Sequence, residues 1–134
     1  MKRSKPASLV REPPAGPETT PAGASRRRTL LDESVPHEIA AAVTEPAVAT
    51  VQGLGWAGMR NGALLRAARA VGFEVLVTVD RHMQHQQNVA VSGLALVVLR
   101  ARSTRGPDLI PVVPSLDSVR SEARVGTVTE LRAA

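Results

Sequence analysis

The sequence predicts an α/β fold in which helices cover both faces of a mainly parallel sheet. Along residues 29–134, segments with the pattern of strands alternate with segments that have the pattern of helices. The two strongest strand segments, residues 74–80 and 94–99, are almost continuously apolar, which is typical of strands buried on both faces. Crossovers between parallel strands are right-handed, so successive strands are expected to point the same way. The chain of 134 residues has room for one domain with a modest core.

Five short apolar segments are strand candidates. They cover residues 29–32, 47–51, 74–80, 94–99 and 127–131. We expect the last of them to lie at an edge of the sheet.

Three segments are helix candidates. The apolar residues of 35–43 repeat at every fourth position, which is an amphipathic helical spacing. A second helix is predicted over residues 61–71, with Asn61 as its cap. Residues 109–116 have apolar side chains on one helical face, and the prolines among them indicate a helix that starts late or is kinked. The polar residues 81–88 are predicted to form a short helix or turn.

The net positive charge lies before the predicted domain. The chain has a formal net charge of +5 and a sequence pI of about 11.2. Residues 1–28 hold seven basic and two acidic residues, whereas residues 29–134 hold ten of each. Because residues 1–28 are rich in proline and poor in large apolar side chains, we expect a disordered tail, whose run at 26–28 could contact phosphates. The basic pI therefore adds little to the case for a nucleic-acid ligand in the domain.

The composition excludes several classes of protein. There is no cysteine, so the chain has no disulfide framework and no thiolate zinc site, and we expect a reducing, cytoplasmic setting. No apolar stretch approaches the ~20 residues of a membrane-spanning helix, so no membrane partner is expected. Trp56 and Phe73 are the only aromatic residues, too few for a platform on which bases stack.

Acidic residues end two of the predicted strands. Asp32 and Glu33 follow the first, and Asp80 ends the third. Parallel strands bring these ends to one edge of the sheet, where ligands bind near a topological switch point. Carboxylates that converge there repel each other unless a cation neutralises them, and such hard oxygen ligands suit Mg²⁺ or Mn²⁺. The alternative is that Asp32 or Glu33 caps the next helix and Asp80 caps the polar segment after it.

A glycine-rich loop, GLGWAG, precedes the second predicted helix. Gly53, Gly55 and Gly58 have the spacing of a dinucleotide-binding loop, and Asp80 follows 22 residues after Gly58. In that motif the helix begins within the glycines, so that its N-terminus meets the pyrophosphate. Here the helix is expected to begin at Asn61, which favours a plain glycine-rich loop over a nucleotide site.

Histidines are the remaining candidates for metal or phosphate binding. His82 and His85 lie three residues apart in RHMQHQQN and can share a helical face and a metal ion. No third ligand is apparent nearby, so a solvated polar segment is the favoured interpretation. If this segment lies beside Asp80, it can instead contact a phosphate or ribose. His37 is expected to be exposed.

Four segments together resemble a known family. They are LLDESVPHEIA, GLGWAGMRNGALLRAA, FEVLVTVDRHMQHQQN and LALVVLRARS, all within residues 29–131. These segments are similar to the PIN-like family of small bacterial proteins, which is related to the VapC-type toxin ribonucleases. The resemblance implies a three-layer α/β/α sandwich around a mainly parallel sheet, with acidic residues clustered at its carboxyl edge.

The same resemblance implies a metal-dependent ribonuclease. Asp32 and Asp80 match the family's catalytic aspartates, and together with Glu33 they match its ligands for Mg²⁺ or Mn²⁺. Asn61 stands where relatives usually carry an acid, and its carbonyl oxygen can ligate Mg²⁺ without adding charge. His82 stands where a second acid often follows the T-x-D motif.

The resemblance also leads to expectations about the substrate and the partners. RNA is the expected substrate, with His82, Asn88, Arg100 and Arg102 as candidate contacts, although solvated surface arginines are the alternative for the last two. The resemblance also implies the toxin half of a toxin–antitoxin pair, a small antitoxin-like partner and a homodimer. Because two of the family's acids are missing, the alternative function is a catalytically degraded module that binds a protein or RNA.

Overall fold

The computed structural model describes residues 27–133, in which five strands form one parallel sheet. The strands are β1 (Thr29–Leu31), β2 (Val48–Thr50), β3 (Val75–Thr78), β4 (Ala95–Arg100) and β5 (Val128–Arg132). Their order across the sheet is β2-β1-β3-β4-β5. All five predicted strands are present, and β5 lies at an edge as expected.

The strand order reverses between β1 and β3. From β1 the chain moves to β2 on one side, and it then crosses to the other side of β1 to form β3. Leu31 of β1 is in register with Val77 of β3, so the two strands end side by side. At such a reversal the loops that leave neighbouring strands diverge, which opens a crevice at the carboxyl edge of the sheet.

Helices connect the strands. They are α1 (His37–Ala42), α2 (Asn61–Ala70), α3 (Met83–Gln86), α4 (Gly106–Leu109) and α5 (Val113–Glu122), with single 3₁₀ turns at Val89–Val91 and Ile110–Val112. None of the helices within the described part of the chain is long and apolar enough to cross a membrane.

Two hydrophobic cores lie on opposite faces of the sheet, because neighbouring residues of a strand point in opposite directions. On one face, Val77 packs in a cluster with Ile39 of α1 and Leu116 of α5. On the other face, Leu76 packs in a cluster with Leu64 of α2. The predicted α/β class with a parallel sheet is therefore confirmed, and the arrangement is compatible with a three-layer sandwich.

Two helices differ from the simplest sequence prediction. Asn61 is the first residue of α2 and not its cap, since Arg60 occupies the cap position and no side chain there bonds to the helix. Residues 109–116 are divided among α4, a 3₁₀ turn and α5. This break is the kink that Pro111 and Pro114 predicted, because proline lacks the amide that a continuous helix needs.

Arg27 and Arg28 contact the folded domain. The predicted tail covers residues 1–28, and all but its last two residues lie outside the described part of the chain. Arg27 donates a hydrogen bond to the carbonyl oxygen of Arg120 at 3.0 Å. The guanidinium of Arg28 lies over the ring of Phe73, 4.5 Å from its centroid. These two arginines are therefore held against the domain.

Arg120 is the largest fully buried side chain of the described residues, with 1% of its surface exposed. Its Nε donates to Thr29 Oγ1 at 2.8 Å, and its Nη2 donates to the carbonyl oxygen of Arg27 at 3.2 Å. Its Nη1 lies 2.9 Å from Asp117 Oδ1 and 3.1 Å from Glu45 Oε2. One guanidinium therefore ties α5 to the start of β1 and to the loop before β2.

We expect Arg120→Met to lower the free energy of unfolding by about 2–3 kcal/mol, because it removes one partner from a buried ion pair. Glu45 and Asp117 remain partly exposed, which keeps the cost below that of a fully buried pair. The exposed Arg124 is the control, and Arg124→Met should change stability by no more than about 0.5 kcal/mol. Urea unfolding measures the stability of both variants. Equal midpoints for Arg120→Met and the wild type would show that the buried guanidinium does not stabilise the fold.

Candidate functional site

Asp32 follows β1 and is buried at the carboxyl edge of the sheet, with 7% of its surface exposed. Its Oδ2 accepts hydrogen bonds from Ser34 Oγ at 2.6 Å and from Thr78 Oγ1 at 2.9 Å. Its amide donates to the carbonyl oxygen of Val77 at 2.8 Å, which extends the pairing of β1 with β3 by one residue. No described residue donates to Oδ1, so this carboxylate oxygen keeps its lone pairs available.

Thr78 connects Asp32 to Asp80. It is the last residue of β3 and is fully buried. Its hydroxyl donates to Asp32 Oδ2 and accepts from the amide of Asp80, each at 2.9 Å. Ser34 Oγ lies 3.2 Å from the same hydroxyl. The loops after β1 and β3 are thus joined by one polar network at the reversal of strand order.

Asp80 closes the turn that leads into α3. Its Oδ1 accepts from the amide of His82 at 2.9 Å, and its carbonyl oxygen accepts from the amide of Met83 at 3.2 Å. These bonds are local, but Asp80 does not cap α3, since His82 holds the cap position and no side chain bonds to the helix there. The two bonds leave Oδ2 without a donor among the described residues, so the turn and a ligand can use different oxygens of the same carboxylate.

Glu33 is bound to the glycine-rich loop. Its Oε1 accepts from the amide of Gly58 at 2.7 Å. The alternative that Asp32 or Glu33 caps α1 is wrong, since Pro36 holds the cap position and no side chain bonds to the helix there. The start of α2 at Asn61, beyond the glycines, argues against a nucleotide site in GLGWAG.

A cleft of about 310 Å³ opens beside Asp80, between the carboxyl ends of β3 and β4. The loops that leave these two strands form its walls. They contribute Val79, Asp80, Arg81, His82, Leu99, Arg100, Ala101, Arg102, Ser103 and Thr104. It lies at the carboxyl edge of the sheet, one strand away from the reversal between β1 and β3, and Asp32 is not among its lining residues.

The structure brings most of the predicted substrate contacts together. His82, Arg100 and Arg102 all line this cleft with Asp80. Asn88 does not, because it lines a separate cavity beside α2. Its prediction as a contact at this site is therefore not supported by its position.

Three arginines give the cleft a positive wall. Arg81 forms no ion pair within the described residues. Arg100 Nη1 lies 2.9 Å from Glu130 Oε2, so its charge is partly matched. The side chain of Arg102 is 89% exposed, and its Nε lies 3.6 Å from Asp108 Oδ1. Such surface pairs are weak, so these guanidinium groups remain able to contact an anion.

The donors at this edge suit one divalent cation better than two. Within residues 27–133, no three His, Asp or Glu side chains are grouped so that they could hold a metal ion. The side chain of Asn61 forms no hydrogen bond to Asp32 or Asp80 there. Two carboxylates are nevertheless hard oxygen ligands, and Mg²⁺ usually keeps several waters while binding one or two carboxylates and substrate phosphates. Two carboxylates are therefore enough, by number and type, to supply the protein ligands of one partly hydrated cation.

Sequence reasoning missed three polar residues of this region, namely Ser34, Thr78 and Arg81. The first two stand two residues from an aspartate, a spacing at which short polar side chains commonly bond to their neighbours. Arg81 follows β3 directly, so the carboxyl-edge argument that selected Asp80 applies to it equally.

We expect Thr78→Val to lower the free energy of unfolding by about 1–3 kcal/mol, because valine keeps the shape but leaves a buried carboxylate oxygen and an amide each one bond short. Thr104→Val is the control, since Thr104 is exposed, and it should have little effect. Chemical denaturation measures both. A Thr78→Val protein as stable as the wild type would show that the network is not needed to hold the two strand ends.

Comparison with models of protein families finds no match, and comparisons with characterised proteins and with solved structures find no similar protein.

Proposed function

We propose that this chain is a metal-dependent ribonuclease in which Asp32 and Asp80 are the catalytic carboxylates. One observation carries the proposal: Thr78 links both aspartates at the reversal of strand order, while Oδ1 of the buried Asp32 has no donor among the described residues. A buried carboxylate is costly unless its oxygens are paired or a cation lies nearby. The resemblance to PIN-like ribonucleases supports the same assignment.

Asp32 and Asp80 would hold Mg²⁺ or Mn²⁺, which when bound supplies Lewis acidity to the scissile phosphodiester. Thr78 and Ser34 hold Asp32 through Oδ2 and so leave Oδ1 for the cation. The turn at His82 holds Asp80 through Oδ1 and leaves Oδ2. Hydrogen bonds to one oxygen thus orient each carboxylate, and the other oxygen would bind the cation.

The cleft beside Asp80 would bind the RNA backbone. Arg81, Arg100 and Arg102 offer guanidinium donors, which form strong hydrogen bonds with phosphate oxygens. His82 adds an imidazole N–H that can donate to a phosphate oxygen. Neither aromatic residue lines the cleft, so recognition through the backbone is favoured over base stacking, and binding should weaken steeply with salt.

The partners of this ribonuclease are proposed from the resemblance alone. A VapC-type toxin would be restrained by a small antitoxin-like protein and could act as a homodimer. Both proposals concern how the activity is controlled, and the chemistry at Asp32 and Asp80 does not depend on them.

An RNA-cleavage assay with Mn²⁺ or Mg²⁺ tests the proposed chemistry. We expect Asp32→Asn and Asp80→Asn each to lower the rate about a hundredfold or more, because each removes a charge that holds the cation. Glu122 is exposed on α5, and Glu122→Gln should cleave RNA as the wild type does. A wild-type protein without metal-dependent cleavage, or an Asp80→Asn variant of equal activity, would contradict the proposal.

A second candidate function is a non-catalytic module that keeps the fold and binds a protein or RNA. The observation that favours it is that no third His, Asp or Glu is grouped with Asp32 and Asp80 as a metal ligand within the described residues. Calorimetry with Mn²⁺ near neutral pH separates the two candidates. We expect one Mn²⁺ per chain, lost in Asp32→Asn, whereas an absence of binding by the wild type would favour the non-catalytic module.

A further inference from the structure

A second cavity lies beside α2, apart from the cleft at the carboxyl edge. Its volume is about 440 Å³, within the ~300–1,000 Å³ typical of small-molecule sites. Arg66 and Arg69 of α2 line one wall, and Gln87, Asn88 and Val91 line the other. No residue lines both cavities, so this is a separate candidate site.

The two arginines of this cavity have no acidic partner in the described part of the chain. Arg66 and Arg69 are exposed and form no ion pair there. Three residues apart on one helix, they lie on the same face, and α2 itself carries no acid. Arg69 lies against the backbone of Gly93, since a Cβ added there would overlap its guanidinium. Two unmatched positive charges thus border one opening.

Polar and apolar groups meet at this opening. A Cβ added to Gly62 would lie 3.4 Å from Gln87 Oε1 and 3.6 Å from Arg66 Nη1, so these two polar side chains converge over the same backbone. Leu65 contributes an apolar surface to the cavity, and Val91, also in the lining, is 75% exposed. An exposed apolar side chain beside unmatched cations suits a ligand that has both a charged and an apolar part.

We propose that this cavity binds a small organic anion, namely a phosphate- or carboxylate-bearing molecule with an apolar portion. The guanidinium groups of Arg66 and Arg69 match the oxygens of either head group, and the side-chain amides of Gln87 and Asn88 add donors. The apolar portion of the ligand covers Val91 and removes its surface from water. This site is independent of the proposed ribonuclease chemistry.

Titration of the full chain with phenyl phosphate and with benzoate, followed by amide NMR, tests the proposal and identifies the preferred head group. We expect saturable binding of at least one of these anions, with shifts in residues 62–70 and 87–93. Benzyl alcohol, which lacks the charge, should bind more weakly than the anion. The double variant Arg66→Gln/Arg69→Gln should bind the anion at least about tenfold more weakly.

Arg124→Gln is the matched control, because Arg124 is exposed and lies outside both cavities. It should bind the anion as the wild type does. Saturation by neither anion, equally tight binding of benzyl alcohol, unchanged binding by the double variant, or shifts confined to the cleft at Asp80 would each overturn the proposal.

Discussion

A carboxylate placed inside a protein must be given hydrogen-bond donors or a cation, and this requirement shapes the carboxyl edge of the sheet. Thr78 and Ser34 supply hydrogen-bond donors to one carboxylate oxygen of Asp32. Because the Thr78 hydroxyl also accepts from the amide of Asp80, the same group sets the path of the chain after β3. The position of Asp80, and with it the neighbouring cleft, is therefore coupled to the hydrogen bond that Thr78 donates to Asp32.

Local sequence patterns predicted the strands and most helices, because those patterns depend on burial and spacing within a few residues. The break at Pro111 was equally predictable, since proline acts on its own helix. The order of the strands was not, because parallel pairing joins segments far apart in sequence. Asn61 was wrong as a cap because the choice between two adjacent residues depends on how the preceding loop enters α2, where Arg60 takes the extended conformation.

The site was partly predictable for a similar reason. Asp32 and Asp80 could be placed at one edge, because both end parallel strands. Glu33 could not be placed, because its partner Gly58 lies in a distant loop that no local pattern locates. Asn88 was misplaced although it lies close to His82 in the sequence. Because α3 lies between them, the start of the polar segment lines the cleft, whereas the end of that segment lines the cavity beside α2.

The proposed chemistry requires that Asp32 and Asp80 share one divalent cation. Paramagnetic broadening of amide NMR signals by Mn²⁺, added in amounts well below one equivalent, tests it most directly because the effect is strongest near the bound ion. We expect selective broadening of the amides of residues 32–34 and 78–82, whereas those of residues 72–75, at the opposite edge of the sheet, should be affected least. Broadening that is absent, uniform along the chain, or centred elsewhere would contradict it.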